Sequence, residues 1–364
     1  MNFIKKSASY YIPLKLFNFN HMKITLLKLV ISIILLGAGI IAGMNINSNK
    51  KADEKSDEKT KQPVVRFDDT SEITWSEDFK LVEIKSSVDS TIQKAYFYTA
   101  KPTEARPLIV SLHTWSGDFS QKDDLAGMCK ANDINYIHPD FRGSNNTKDA
   151  CCSHLALNDI DDAITWATEN SNVDKEKIYV IGVSGGGYAT LSTFMKSKHS
   201  IKKFSAWAAI TDLIAWYNES KIRGNRYADN ILMCTGSENG VLNESVAKAK
   251  SPVFMDTPAE KLKTSNLMIY AGIYDGIQGS VPITHSINFY NKLLSDLLVN
   301  DKSFYVPDQE KLKLLEYRKP LGEFGSISDR TICLEKKFEN IRLVIFEGNH
   351  EMLTEYAFNE LINE

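Results

Sequence analysis

Tyr179-Val180-Ile181-Gly182-Val183-Ser184-Gly185-Gly186-Gly187-Tyr188 joins two kinds of sequence. Ile178 to Ile181 is a short apolar, β-branched run and reads as a buried strand. Tyr188 to Met195 has the spacing of a helix. Between them stands one serine in a Gly-x-Ser-x-Gly frame, the pattern of a strand-to-helix turn that lifts a hydroxyl clear of a sheet. Glycines suit the positions around it because a side chain there would collide with the neighbouring strand and helix. The N-terminus of the helix that follows aims backbone N–H groups at developing negative charge. A five-residue match arises often by chance, so the reading turns on what surrounds it.

What surrounds it is a run of strands alternating with helices. Pro107 to Leu112 is continuously apolar, as a strand buried on both faces would be, and it ends in His113-Thr114-Trp115-Ser116-Gly117-Asp118. A helical stretch from Lys122 to Ala131 leads to a strand over Ile134–His138, which runs into Pro139-Asp140-Phe141-Arg142-Gly143. Asp159 to Asn170 is amphipathic, with Ile160, Ala163, Ile164 and Trp166 on one side. Further strands are expected at Lys203–Ile210, Leu267–Gly272 and Ile341–Phe346, and antiparallel ones between residues 63 and 100. Such alternation predicts βαβ crossovers and a mostly parallel central sheet flanked by helices. Two stretches exceed plain connections: 211–264, read as a candidate cap, and 299–337, a second insertion of mixed charge with some helical periodicity.

A serine nucleophile requires a histidine base and an acid that orients it, in the chain order serine, acid, histidine, each after a strand. Of seven histidines, three follow Ser184. His350 comes directly after the last strand, where the base belongs. His199 lies at a Lys-rich helix end and is expected at the surface, and His285 sits within a helix in a packing or capping role. Asp275 is the one carboxylate immediately after the strand ending at Gly272, although Asp-Gly is also an ordinary turn. Gly185 and the backbone of Thr114 or Trp115 are the candidate oxyanion donors. His113 reads as a core residue holding its loop.

On these motifs, residues 100–362 resemble an α/β-hydrolase, close to the prolyl-oligopeptidase-like and dienelactone-hydrolase-like esterase branches. The resemblance rests on GVSGGG around Ser184, DFRG at Asp140–Gly143, DIDDAITW at Asp159–Trp166, Val281-Pro282 and Ser286 after Asp275, and Gly348-Asn349-His350-Glu351. It implies an α/β-hydrolase fold with a helical cap insertion and a Ser184–Asp275–His350 triad working through an acyl-enzyme, with no cofactor. The chain also has no CxxC and no Cys/His pair at zinc spacing, so no metal is expected. The implied substrate is an acyl ester, one candidate being an acyl group on a carbohydrate. A peptide amide is the alternative, and a silent hydrolase fold used for surface binding is a third reading. Two features depart from the pattern: HTWSGD stands where an HGG-type loop is common, and the interval from Asp275 to His350 is long. Residues 63–100 are too few for the β-propeller that gates true prolyl oligopeptidases, which favours an esterase.

Composition narrows the partners. The 364 residues, 43% hydrophobic and 24% charged, suffice for a large core. A formal net charge of -3 gives no sign of a nucleic-acid partner. Leu29 to Met44 is uninterrupted apolar sequence with Lys23 and Lys28 before it, the layout of an export signal or a membrane anchor. Residues 45–62 are polar and charged and read as a disordered linker, so the catalytic domain, 63–364, is expected outside the cytoplasm, secreted or anchored by residues 1–44. Among the five cysteines, Cys129 flanks one strand together with Cys151 and Cys152 and is a candidate partner for one of those two, with Cys234 and Cys333 left over or paired elsewhere.

Overall fold

The computed structural model describes Ser71, residues 73–101 and residues 104–363. All lie in the unit spanning Val65–Glu364. The export or anchor segment 1–44 and the linker 45–62 lie outside the described residues. No helix among the described residues is long and apolar enough to cross a membrane.

In chain order the elements are β1 (Lys80–Lys85), β2 (Ile92–Tyr98), β3 (Arg106–Leu112), α1 (Asp124–Ala131), β4 (Asn135–Pro139), α2 (His154–Asn170), β5 (Val173–Val183) and α3 (Gly185–Lys196). Next come β6 (Lys203–Trp207), α4 (Leu213–Arg223), α5 (Tyr227–Cys234), α6 (Glu244–Lys250), β7 (Asn266–Gly272) and α7 (Thr284–Asp296). The chain closes with α8 (Asp308–Tyr317), β8 (Ser326–Ile327), β9 (Arg330–Phe338), β10 (Ile341–Phe346) and α9 (Thr354–Ile362).

The strands form one sheet in the order β1-β2-β4-β3-β5-β6-β7-β10-β9-β8. From β4 to β10 every pairing is parallel, and antiparallel strands finish both edges. Alternation along the strands gives each face its own core. Ile109, Tyr179, Ile181, Trp207, Tyr270 and Val344 point to the side covered by α1 and α9. Leu108, Val110, Val180, Phe204, Ile269 and Leu343 point to the side covered by α2, α3 and α7. This double coverage is why the central strands read as unbroken apolar runs. The chain first steps from β3 outward to β4, then returns past β3 to β5 and proceeds the other way. The topological switch point therefore falls between β3 and β5, where an open α/β sheet leaves a crevice at its carboxyl ends.

Two sequence motifs meet on the α2 side. Arg142 of the DFRG turn pairs through Nε and Nη2 with the carboxylate of Asp159, which is buried in α2. Its Nη1 lies 2.8 Å from Asp89 Oδ2. Helix α2 starts earlier than its amphipathic stretch suggests because the Ser153 hydroxyl caps it, accepting from the Ala156 N–H.

Two expectations are corrected. The 299–337 insertion is only partly helical, since β9 extends the sheet as the antiparallel neighbour of β10. Its Glu335-Lys336-Lys337 run masks the strand, because these side chains sit near the edge and reach solvent. Cys129 does not meet Cys151 or Cys152. It belongs to the core under α1, they belong to the core on the other face, and the sheet stands between.

Candidate active site

Strand β5 passes into α3 through Ser184, whose backbone sits at φ 58°, ψ −118°. A non-glycine residue held there stores roughly 1–3 kcal/mol, and it persists only when its surroundings fix it. They do so on both sides: the Ser184 N–H donates to the Trp207 carbonyl at 2.9 Å, and the Ser184 carbonyl accepts from the Tyr188 N–H at 2.9 Å. A Cβ on Gly185 would lie 2.2 Å from the Trp115 nitrogen, so the first turn of α3 rests directly on the loop after β3. The Gly185 and Trp115 peptides are thereby neighbours across the switch-point crevice.

Thr114 is committed elsewhere. Its N–H and its hydroxyl both donate to Gln121 Oε1, at 3.1 and 2.7 Å. Of the two residues expected to offer a second oxyanion donor, only Trp115 keeps its N–H out of that tie. Its carbonyl accepts from the N–H of buried Asn145 at 2.8 Å, which helps set the tilt of the loop. Gln121 and Asn145 carry no motif that marks them in the sequence.

Asp275 follows β7 and His350 follows β10. His350 Nδ1 donates to Asp275 Oδ2 at 2.7 Å, while Asp275 Oδ1 accepts from the N–H groups of Gly276 and Val281 at 2.8 and 3.0 Å. A Cβ on Gly279 would come within 2.3 Å of Asp275 Oδ1 and 2.4 Å of His350 Cβ, so this loop wraps the pair closely. Two strand spacings, about 10 Å, separate the Ser184 strand from the Asp275 strand. Ser184 is 3%, Asp275 1% and His350 6% exposed, so bulk water is largely kept from all three. The hairpin missed in the sequence braces the histidine loop: the Glu347 N–H donates to the Thr331 carbonyl at 2.8 Å, and Arg330 lies 3.4 Å from Glu351. Glu351 Oε1 in turn accepts from the Asn349 N–H.

The helices of the 211–264 segment bridge the loops on either side. The Trp216 ring meets Trp115 edge-on at 4.6 Å, and its indole N–H donates to the Ser280 carbonyl at 2.8 Å. The Trp115 indole donates to Asn230 Oδ1 at 3.3 Å, and Arg226 donates to Ser116 Oγ at 3.0 Å. The segment thus runs from the loop after β3 to the loop after β7, across the ends of β5 and β6.

Three other histidines hold structure. The His285 Nδ1 accepts from the Thr211 N–H at 3.1 Å and its Nε2 lies 3.0 Å from Glu219 Oε2, pinning the start of the helical segment. His199 is half-buried against the Asp161 carbonyl. His113 is fully buried, stacked on Phe141 at 3.8 Å, and its Nδ1 donates to the Thr114 carbonyl. Burial pushes its pKa down to about 3.

Residues 123–306 match the family model described as the prolyl oligopeptidase family. No curated protein matches the chain. Similar solved structures include the acylaminoacyl peptidase of Pyrococcus horikoshii, at 18% identity and TM-score 0.48, with 60% of this chain and 35% of that one covered. Others are a puromycin-hydrolyzing peptidase of Mycobacterium tuberculosis (17%, TM-score 0.49, covering 60% and 34%) and prolyl oligopeptidase B of Galerina marginata (16%, TM-score 0.49, covering 65% and 35%). The chain spans about a third of the length of these structures.

Proposed function

We propose, on the premise that the chain belongs to the prolyl oligopeptidase family, that it cleaves an amide bond of a short peptide or acyl-amino substrate through an acyl-enzyme. Its α/β-hydrolase fold and family make it a serine hydrolase. The finer assignment, amide rather than ester, is supported by family membership alone, and the ester expected from the sequence is the other arm of the test.

In this reading Ser184 Oγ attacks the substrate carbonyl while His350 Nε2 takes its proton. Asp275 keeps the proton of the imidazole on Nδ1 and stabilises the imidazolium that forms. The N–H groups of Gly185 and Trp115 receive the oxyanion. His350 then gives its proton to the leaving nitrogen, the acyl-enzyme forms, and water repeats the sequence. The observation that carries the reading is the Asp275–His350 hydrogen bond, two strands from a serine held in a disfavoured backbone conformation at the end of β5. The export-type segment Leu29–Met44 supports an extracytoplasmic location, either secreted or anchored.

The test is fluorophosphonate labelling of the full chain, wild type beside Ser184→Ala, followed by matched acyl esters and peptide amides. Labelling lost in the variant is expected, with amide turnover in the wild type. Persistent labelling of Ser184→Ala would remove the assignment, and turnover confined to esters would move the substrate to the ester class.

A further inference from the structure

We infer that Cys151 and Cys234 form a disulfide that ties the helical segment over the site to the body of the fold. Cys234 ends α5, Cys151 lies in the loop between β4 and α2, and 83 positions separate them in sequence. Their sulfurs lie 2.6 Å apart, and both residues are fully buried.

Contacts that do not involve sulfur bring the two backbones together. Lys250 Nζ, at the end of α6, donates to the carbonyls of Lys148, Ala150 and Cys234 at 2.7, 3.1 and 2.9 Å. Tyr188, one turn after Ser184, sets its hydroxyl 2.9 Å from the Cys151 carbonyl and 2.6 Å from that of Lys250. The Cys151 N–H donates to Asn145 Oδ1 at 2.9 Å, which helps hold Cys151 at φ 57°. The fold therefore positions the thiols before any bond joins them. Of the remaining cysteines, Cys129 lies on the other face and Cys333 on β9, while Cys152, next to Cys151 and within electrostatic reach of Cys234, lines a cleft with His154 and Met255.

Closure removes a proton from each thiol and two electrons in all. A small disulfide of the oxidised-glutathione class accepts them and leaves as two thiols. Burial pushes the Cys151 thiol pKa upward, so a bond made as the segment closes exchanges slowly afterwards. The bond would fix α5, whose Asn230 receives the Trp115 indole beside the oxyanion loop. This inference does not rest on the catalytic reading, because its readout is a mass.

The experiment folds the full chain with oxidised glutathione, denatures it, alkylates it and maps the peptides. Two of the five cysteines should escape alkylation, in a linked peptide pair that survives Cys152→Ser and disappears in Cys234→Ser. Reduction should lower the thermal midpoint of the wild type by several degrees and leave that of Cys234→Ser unmoved. Alkylation of all five cysteines after oxidation, or a link that runs through Cys152, would overturn the inference.

Discussion

His350 Nδ1 lies 2.7 Å from Asp275 Oδ2, and the other oxygen of that carboxylate is held by the N–H groups of Gly276 and Val281. The carboxylate cannot rotate away without losing two backbone donors, so in the proposed mechanism it holds the imidazole with Nδ1 as the donor and leaves Nε2 for Ser184. Asp275→Asn keeps the shape but offers an amide that can force the wrong tautomer. We expect kcat to fall about 10⁴-fold with the fold intact, measured by steady-state kinetics beside circular dichroism. A loss under tenfold would remove Asp275 from the proposed triad.

The contact between Gly185 and the Trp115 nitrogen makes a second prediction. A methyl group at position 185 meets backbone, not a flexible side-chain end, so either α3 or the loop after β3 must shift. Gly185→Ala should cost about 10²–10³-fold in kcat, with a smaller change in KM, since the proposed oxyanion donors are needed most in the transition state. Kinetics on one acyl substrate would settle it, and an unchanged kcat would sink the assigned donors.

Arg142 and Asp159 tie the DFRG turn to α2 through an ion pair whose carboxylate is wholly buried. Arg142→Met leaves that charge without a partner, and we expect a loss of about 3–5 kcal/mol in urea unfolding. Adding Asp159→Asn should recover a large part of it, because the cost lies in the orphaned charge more than in the lost bond. A single-variant loss below about 1 kcal/mol would mean that water reaches the site.

His113 predicts a pH dependence. Its folded pKa of about 3 lies below the ordinary 6.5. Between those values the unfolded chain binds a proton that the folded one refuses, so stability falls as pH drops below about 6.5 and the penalty is complete near pH 3. The slope per such group approaches about 1.4 kcal/mol per pH unit inside the window. Urea melts at pH 7 and pH 5 should show it, and His113→Gln should flatten the slope by about one proton. The His138 ring, 6.4 Å away and also lowered by burial, contributes to what remains.

The parts legible in the sequence were those set by local chemistry. Continuous apolar runs marked β3, β5, β7 and β10, and Ser184, Asp275 and His350 each stood just past one of them. What escaped depended on relations that periodicity does not record. Gln121 binds Thr114 through a loop with no signature. Strand β9 carries Glu335, Lys336 and Lys337 because it lies near an edge, so its alternation resembles a solvated segment. The expected partner of Cys129 failed because apolar spacing shows that a helix covers a sheet, but not which face it covers.

The sheet's ending at β8 has a bearing on how copies of the chain meet. Without the β9–β8 hairpin, the six residues of β10, with apolar Ile341, Leu343 and Ile345 among them, would be an unpaired edge open to a strand from another molecule. With it, the outermost strand on that side is two residues long, and the charged β9 fills the row behind it. Short and charged margins discourage edge-to-edge pairing. Residues that lengthen the interval between Asp275 and His350 therefore also guard the sheet against growing into its neighbours.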